Sequence, residues 1–547
     1  MNKPASQKIG KLFYKTVTFG NNTKFHYFRK FYPKNVNKFI FTFSISLYDA
    51  KKQFKGFLKK YKVRNSLEFL DNSNYFHSIP KTTLKLISKK QSRIKTLKIC
   101  LGTYNKFLDI TEALIWLKYT KSLKEIYLTR IEWRNSNVLK RNNDILFWKN
   151  IRRHRLNTLV LDPNSFWEEF DKFMLYWKKI PSTVKKVFLR KVRSNTRLIM
   201  NNPEMSLPLL KNLKSLGFSY FQNVEVWERF FSSIHNPNQL VELSLEITGK
   251  TEKNFIIPQL NLQGGNQLRN LELKFDEVPI DISKFIDTFN SSKLRVFKIE
   301  VRDVYLKQKK NWFWIIDFLS HQLELEEIKI KINYTFSEFE QQERFYKSLI
   351  KVITSLKLLQ KLKFLPLNYN KNVFRRNVIS FKELHKLKNL KEICVKTNCM
   401  DIDNWKELIE SSQKMSSQLK KLKIDAGKIT PDHNDLREFR NLLNGLKSIE
   451  VLSFEKLEVP SSKFWKELVF SFTEMKNLRK LELGKINLEN HEIYQGVLEV
   501  LKLPYLQRFK TEWKEFVFES CSDKKPLMYQ TSPDKIINFL FKSIPFN

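Results

Sequence analysis

The hexapeptide Leu478-Arg-Lys-Leu-Glu-Leu483 recurs along this chain so regularly that few architectures remain open. Its apolar residues occupy positions 1, 4 and 6, and in an extended strand positions 4 and 6 fall on one face. The frame returns as Leu419-Lys-Lys-Leu-Lys-Ile424, Leu390-Lys-Glu-Ile-Cys-Val395 and Leu268-Arg-Asn-Leu-Glu-Leu273. Fifteen copies, 26 to 34 residues apart, open at Ile94, Leu123, Leu156, Val184, Leu213, Leu240, Leu268, Leu294, Leu325, Leu359, Leu390, Leu419, Ile449, Leu478 and Leu506. Self-similarity at this period marks a solenoid, in which each unit buries its apolar face against its neighbours only. A chain of 547 residues can then fold without one oversized core.

The segments between frames read as helices. Trp405-Lys-Glu-Leu408 and Trp465-Lys-Glu-Leu468 are nearly the same tetrapeptide, 14 and 13 residues ahead of their following frames, and Trp227-Glu-Arg-Phe230 falls 13 ahead of Leu240. A residue and its i+3 neighbour share a helix face. These rings are therefore expected to fill the space between helix and strand layers rather than form an exposed ligand stripe.

The frame resembles the L-x-x-L-x-L-x-x-N/C-x-L pattern of the leucine-rich-repeat family over about residues 90–515, and its long spacing resembles the ribonuclease-inhibitor-like branch. The resemblance implies an α/β fold: a right-handed solenoid, or horseshoe, with parallel strands on the concave side and helices on the convex side. It also implies protein binding. The departure is at the Asn/Cys position, filled only by Asn164, Asn333 and Asn398 and elsewhere by Val192, Thr248, Arg302, Leu457 or Ile486, among others. In the family that Asn bonds the backbone of neighbouring coils, so these coils must satisfy the same groups by other means.

Charge is the second constraint. The 99 Lys and Arg against 56 Asp and Glu leave a net +43. Few Ala and Gly beside 46 Phe are the signature of an AT-rich coding sequence, which inflates Lys whatever its use. That bias does not account for placement. Residues 1–200 hold 44 basic and 12 acidic residues, net +32; the remaining 347 hold 55 and 44, net +11. Such asymmetry suggests that one end meets an anionic partner.

Three groups of cations are candidates for that contact. Lys24, Arg29 and Lys30 lie among aromatics in residues 1–48, a stretch with nine basic residues and no acid. It reads as an arm laid on RNA, as a cap over the end of the solenoid, or as a mitochondrial transit segment. Arg152, Arg153 and Arg155 precede the Leu156 frame, and Lys185, Lys186, Arg190, Lys191, Arg193 and Arg197 lie on and after the Val184 frame. The planar Arg fork suits phosphate; a solvated charge run is the alternative. Outward strand positions carry basic and acidic residues in about the ratio of the whole chain, and Glu324, Glu326, Glu327, Glu338, Glu340 and Glu343 gather mid-chain. An anion is therefore expected at the N-terminal third, not along the whole strand face.

Three segments follow. Residues 1–92 are a basic, aromatic-rich arm or cap, in which 36–43 reads as a strand of a degenerate opening coil and 49–61 as a helix. Residues 62–92 show no clean frame; Ile79-Pro80 with Leu84, Leu86 and Ile87 faintly resembles an F-box segment. Residues 93–519 are the solenoid, broken by an exposed loop over 368–381. Residues 520–547 are a polar linker and a capping helix opened by Ser532-Pro533.

The sequence holds no phosphate-cradling Gly loop, G-x-S-x-G, H-E-x-x-H or Cys/His zinc spacing. Four scattered cysteines make no disulfide framework and fit a reducing compartment. No apolar run reaches the ~18–20 residues that span a bilayer. The expectation is an intracellular, non-membrane, non-enzymatic scaffold without cofactor, metal or small-molecule substrate, in mitochondrion, cytoplasm or nucleus. Protein partners would use the solenoid surface, and RNA or another polyanion the N-terminal third, as in a ribonucleoprotein or mitochondrial ribosome subunit. The alternative is a protein-recognition adaptor or cytoskeletal scaffold, including a ubiquitin-ligase substrate receptor, with an acidic protein partner.

Overall fold

A computed structural model describes residues 16–19, 35–43, 62–71, 94–101, 108–132, 138–163, 180, 182–189, 212–219, 237–248, 267–276, 283–302, 313–333, 339–367, 379–396, 402–425, 435–454, 459, 461–484, 495–497, 499–500, 502–510, 515–517 and 527–528. The chain forms two compact units, residues 1–268 and 269–547.

In the first unit, β1 (Thr16–Phe19), β2 (Asn35–Phe43), β3 (Lys62–Asp71), β4 (Thr96–Leu101), β6 (Glu125–Glu132), β7 (Thr158–Pro163), β8 (Lys186–Leu189), β9 (Ser215–Ser219) and β10 (Glu242–Thr248) pair in parallel, in chain order. The two-residue β5 (Leu108–Asp109) joins the far end of β6. Helices α1 (Ile110–Tyr119) and α2 (Val138–Arg153) return the chain between strands. In the second unit the parallel strands are β11 (Asn270–Asp276), β12 (Val296–Arg302), β13 (Glu327–Asn333), β14 (Lys361–Leu367), β15 (Glu392–Lys396), β16 (Lys421–Asp425), β17 (Val451–Phe454), β18 (Lys480–Leu483) and β19 (Arg508–Lys510). Its helices are α3 (Ser283–Asp287), α4 (Trp314–His321), α5 (Phe339–Ser355), α6 (Ile402–Lys414), α7 (Asp435–Asn444) and α8 (Ser462–Glu474).

The register follows the sequence frame. Position 4 pairs only with position 4 of the next coil: Leu97, Ile126, Leu159, Val187, Leu216 and Leu243 in the first unit. In the second unit the same row runs Leu271, Phe297, Ile328, Leu362, Ile393, Leu422, Leu452, Leu481 and Phe509. Every one of these residues is buried, a contribution of about 1.5–3 kcal/mol each. The chain is an α/β solenoid of leucine-rich-repeat type, and its fifteen frames are fifteen of its strands.

Three more coils precede them. Register places Val36-Asn-Lys-Phe-Ile-Phe41 in the same six positions on β2, as the sequence suggests. Register puts Val17 of β1 and Leu67 of β3 in the position 4 row. Three residues earlier the sequence reads Tyr14 and Arg64, which hides both from a leucine-based reading.

Side chains also tie the coils ahead of the strands. At five frames the residue just before the frame carries a polar atom that crosses to the preceding coil. Asn212 Nδ2 donates to Ser182 O at 3.1 Å, Asn389 Nδ2 to Lys357 O at 2.8 Å, and Asn477 Nδ2 to Lys447 O at 3.1 Å. Thr183 Oγ1 and Ser448 Oγ donate to Leu156 O and Leu419 O at 3.0 and 3.1 Å. A carbonyl at a turn is thereby paired from the next coil, as any poorly solvated backbone group must be.

Trp405 on α6 and Trp465 on α8 are 0% and 1% exposed. The Trp405 ring lies 4.9 Å from Phe454 of β17, so the rings do fill the gap between layers; Trp227 lies outside the described residues. Ser461 caps α8 by accepting from Phe464 N at 3.3 Å. At the C-terminal side the sheet reverses: β20 (Glu515–Val517) is antiparallel to β19, and β21 (Leu527–Met528) to β20. Short antiparallel strands blunt an edge that would otherwise template further pairing. Part of the expected polar linker is thus strand. The expected helices over 49–61 and from Ser532 lie outside the described residues, as does the expected loop up to residue 378; Ile379 and Phe381 beyond it are buried.

Gly217, at position 5 of β9, accommodates its neighbour's ring: an added Cβ would stand 1.9 Å from Phe188 Cδ1. Gly217→Val is expected to cost about 1–3 kcal/mol by overpacking, read as a lower urea midpoint.

Candidate functional site

At the start of β6–β10 and of β12–β19 the backbone builds a fork. Lys95 O accepts from Lys124 N at 2.7 Å and Glu125 N at 3.0 Å; Lys124 O accepts from Asn157 N at 2.7 Å, Asn157 O from Lys185 N at 2.9 Å, and Lys185 O from Lys214 N at 2.8 Å. The fork brings position 2 of successive coils into a row. In the first unit the row reads Lys95, Lys124, Asn157, Lys185 and Lys214, all exposed, and then the half-buried Val241. Rungs of a parallel sheet stand about 4.8 Å apart, so the exposed part of the row spans about 19 Å.

Helix ends and turns of the same edge add more cations. Lys118 closes α1, Arg152 and Arg153 close α2, and Lys121 and Arg155 sit in the turns that follow. All five are exposed. Cations at a helix C-terminus complement its dipole, a local reason for Lys118, Arg152 and Arg153 but not for the lysines of the row. Across 117–124, 151–157, 182–185, 212–214 and 237–241 this edge holds no acidic residue.

His154, between Arg153 and Arg155, turns the other way. It is buried, and its Nε2 is 2.9 Å from Leu117 O. A carbonyl can only accept, so Nε2 carries the proton. Burial pushes the imidazole pKa down, against the pull of that hydrogen bond. A neutral ring therefore ties the end of α2 to the end of α1 and aims its flanking arginines outward.

The second unit differs. Its corresponding row contains acids that pair with the cations before or after them: Arg295 with Glu326 at 3.6 Å and Arg479 with Glu450 at 3.5 Å. On its sheet face the charges interleave. Glu327 lies 3.5–3.8 Å from Lys298, Lys361 and Lys363; Glu392 meets Lys421 at 2.6 Å, Glu300 meets Lys331 at 2.6 Å, and Asp425 meets Lys396. Lys423 reaches across Ser453 to Glu482 at 2.8 Å, which Lys480 also contacts at 2.8 Å.

Burial at 9% exposure opposes the charge on Glu482, but the two lysine hydrogen bonds outweigh it and hold its pKa down to about 2. A carboxyl depressed on folding stabilises above its ordinary pKa and loses that contribution as pH falls through the folded value. The stability advantage of wild type over Glu482→Gln should be largest near neutrality, on the order of 3 kcal/mol at most, and vanish between about pH 4.5 and pH 2. Urea titrations of both proteins across that range test this.

Of the cations singled out from sequence, Arg152, Arg153, Arg155 and Lys185 come together on the first unit's edge. Lys186 faces the sheet side, 2.8 Å from Glu242 and over the Phe188 ring at 4.7 Å. Lys24, Arg29, Lys30, Arg190, Lys191, Arg193 and Arg197 lie outside the described residues. Lys95, Lys118, Lys121, Lys124 and Lys214 complete the edge and were not singled out. For Lys95, Lys124 and Lys214 the signal was available: position 2 of successive frames, read as a column.

Among the described residues no group of three His, Cys, Asp or Glu side chains could hold a metal ion, and no helix is long and apolar enough to cross a membrane. No protein-family model matches the chain. No curated protein matches it either. Among solved structures, the crystal structure of a TLR13–ssRNA13 complex is similar over 95% of this chain and 70% of that chain, with 14% identity and a TM-score of 0.32. A likeness that slight has no bearing on function.

Proposed function

We propose that this protein is a non-enzymatic scaffold, of ribonuclease-inhibitor-like repeats, that docks on RNA or another polyanion through the basic edge of its first unit. The supporting observation is the edge itself: nine exposed cations gathered by the backbone fork and the helix ends, with no acid among them. Like charges held this close repel, and a polyanion relieves the repulsion while releasing its own counterions. The division into an N-terminal region 1–92, a solenoid 93–519 and a C-terminal region 520–547 belongs to this reading, as does an intracellular setting.

The test is a salt series. Binding of the full-length chain to mixed-sequence RNA should fall by about 300-fold or more between about 50 and 200 mM salt if six or more phosphates are neutralised at about 0.7 each. Affinity unchanged across the series would refute the dock. A second reading, recognition of an acidic protein, is favoured by the interleaved lysines and carboxylates on the second unit's sheet face. It predicts partners that stay bound to the affinity-purified chain after RNase treatment.

A further inference from the structure

The edge row has a direction and a neighbour, and both restrict what kind of polyanion fits. The row of Lys95, Lys124, Asn157, Lys185 and Lys214 runs along the stacking direction, with one cation or amide per coil. Its step of about 4.8 Å exceeds the about 3.4 Å by which phosphates of one strand advance along a B-form duplex. A duplex backbone also winds about its own axis and so leaves a row that follows the coils. An unpaired strand has neither restriction: it can stretch to the rungs and stay on them.

On the sheet side the row is bordered by groups suited to bases. Position 3 supplies the half-buried Thr96, Glu125 and Ser215, the buried Thr158, and Lys186, which Glu242 holds at 2.8 Å; Thr96 Oγ1 donates to Glu125 Oε2 at 3.1 Å. Two residues further on, Tyr127 lies part-exposed on β6, with Lys98 Nζ 4.7 Å from its ring centroid. Positions 2 and 5 are three residues apart, about 10 Å along a strand, within reach of a base whose phosphate sits on the row. Base edges held inside a duplex could not use these groups, and an acidic peptide would meet Glu125 where a base would not.

We infer that the first unit's edge takes a single-stranded nucleic acid laid along the coils, phosphates on the lysine row and bases turned over the sheet face. The inference rests on the polyanion reading and narrows it. RNA and DNA single strands share this chemistry, so the test carries both.

The experiment is fluorescence anisotropy of the full-length protein with labelled oligouridine, labelled oligodeoxythymidine, an RNA duplex of equal length and a poly-glutamate peptide at one salt concentration. Both single strands are expected to bind at least about tenfold more tightly than the duplex and the peptide. Tighter binding of oligouridine than of oligodeoxythymidine would assign the site to RNA, and equal binding to single strands in general; both support the inference. Lys124→Glu with Lys185→Glu should weaken oligouridine binding at least tenfold and reduce the salt slope by about 1.4, two contacts at about 0.7 each. Duplex binding equal to or tighter than single-strand binding overturns the inference and leaves the polyanion dock standing. Tightest binding of the peptide overturns it in favour of an acidic protein. Binding of none of the four overturns the inference and the dock together. The wild-type comparison decides the matter even where the double variant folds poorly.

Discussion

A variant with Lys124, Arg152, Arg153 and Lys185 all reversed to Glu is expected to lose more than about a hundredfold in affinity for a polyanion at near-physiological salt. The four side chains come from three successive coils and from both parts of the edge, the position 2 row and the end of α2. Removing four contacts should flatten the log–log salt dependence by about 3, so measurements over a salt series separate lost phosphate contacts from a general loss of activity. All four are exposed, and thermal unfolding should be little changed. Charge reversal at Lys293, Arg295 and Arg479 of the second unit, where Glu324, Glu326 and Glu450 already stand beside the cations, should leave affinity within about threefold, because neutralised cations release few counterions. Equal losses from both variants would mean that net charge, and not this edge, governs binding.

Trp405→Ala is expected to destabilise the second unit by about 3–5 kcal/mol. The ring is fully buried between α6 and β17 and stacks at a tilt on Phe454, so its removal takes away a large apolar surface and leaves a cavity that rigid strands cannot close. A solenoid couples each coil only to its neighbours. The loss should therefore appear as an early unfolding step confined to the second unit, seen as faster hydrogen exchange at the amides of β16 and β17 while the β4–β9 amides keep their protection. Uniform loss of protection through both units would show that the chain unfolds as one block.

The clarity of this sequence differs between its two levels of order. Frame, strand positions and register were legible because position 1 and position 4 residues are buried in all fifteen frames, and burial tolerates only apolar side chains there. Leu97, Ile126 and Leu159 are spaced by return segments of different length, yet they pair with one another because the strands do. Legibility failed at β1 and β3, where the sequence three residues ahead of Val17 and Leu67 reads Tyr14 and Arg64, and at β21, where antiparallel pairing rescues a stretch that composition marks as polar. Some coil-to-coil hydrogen bonds were not legible either: Asn212, Asn389 and Asn477 act from the residue before the frame, a place that the family pattern leaves unspecified.

For the site the balance is reversed. The sequence alone determined that the first third of the chain is strongly basic, and its Arg cluster marked part of the surface. It could not show that His154 turns inward while Arg152, Arg153 and Arg155 turn out, since the choice depends on Leu117 offering a carbonyl from the preceding coil. Nor could it separate Lys185, exposed on the edge, from Lys186, one residue on and held by Glu242. Adjacent residues in a strand take opposite surroundings, and residues about 30 apart become neighbours only when the backbone fork stacks their coils. Burial pattern is local enough to be written in the chain. A charged surface is assembled from distant rungs, and only the tertiary structure decides which cations share it and which already have a carboxylate beside them.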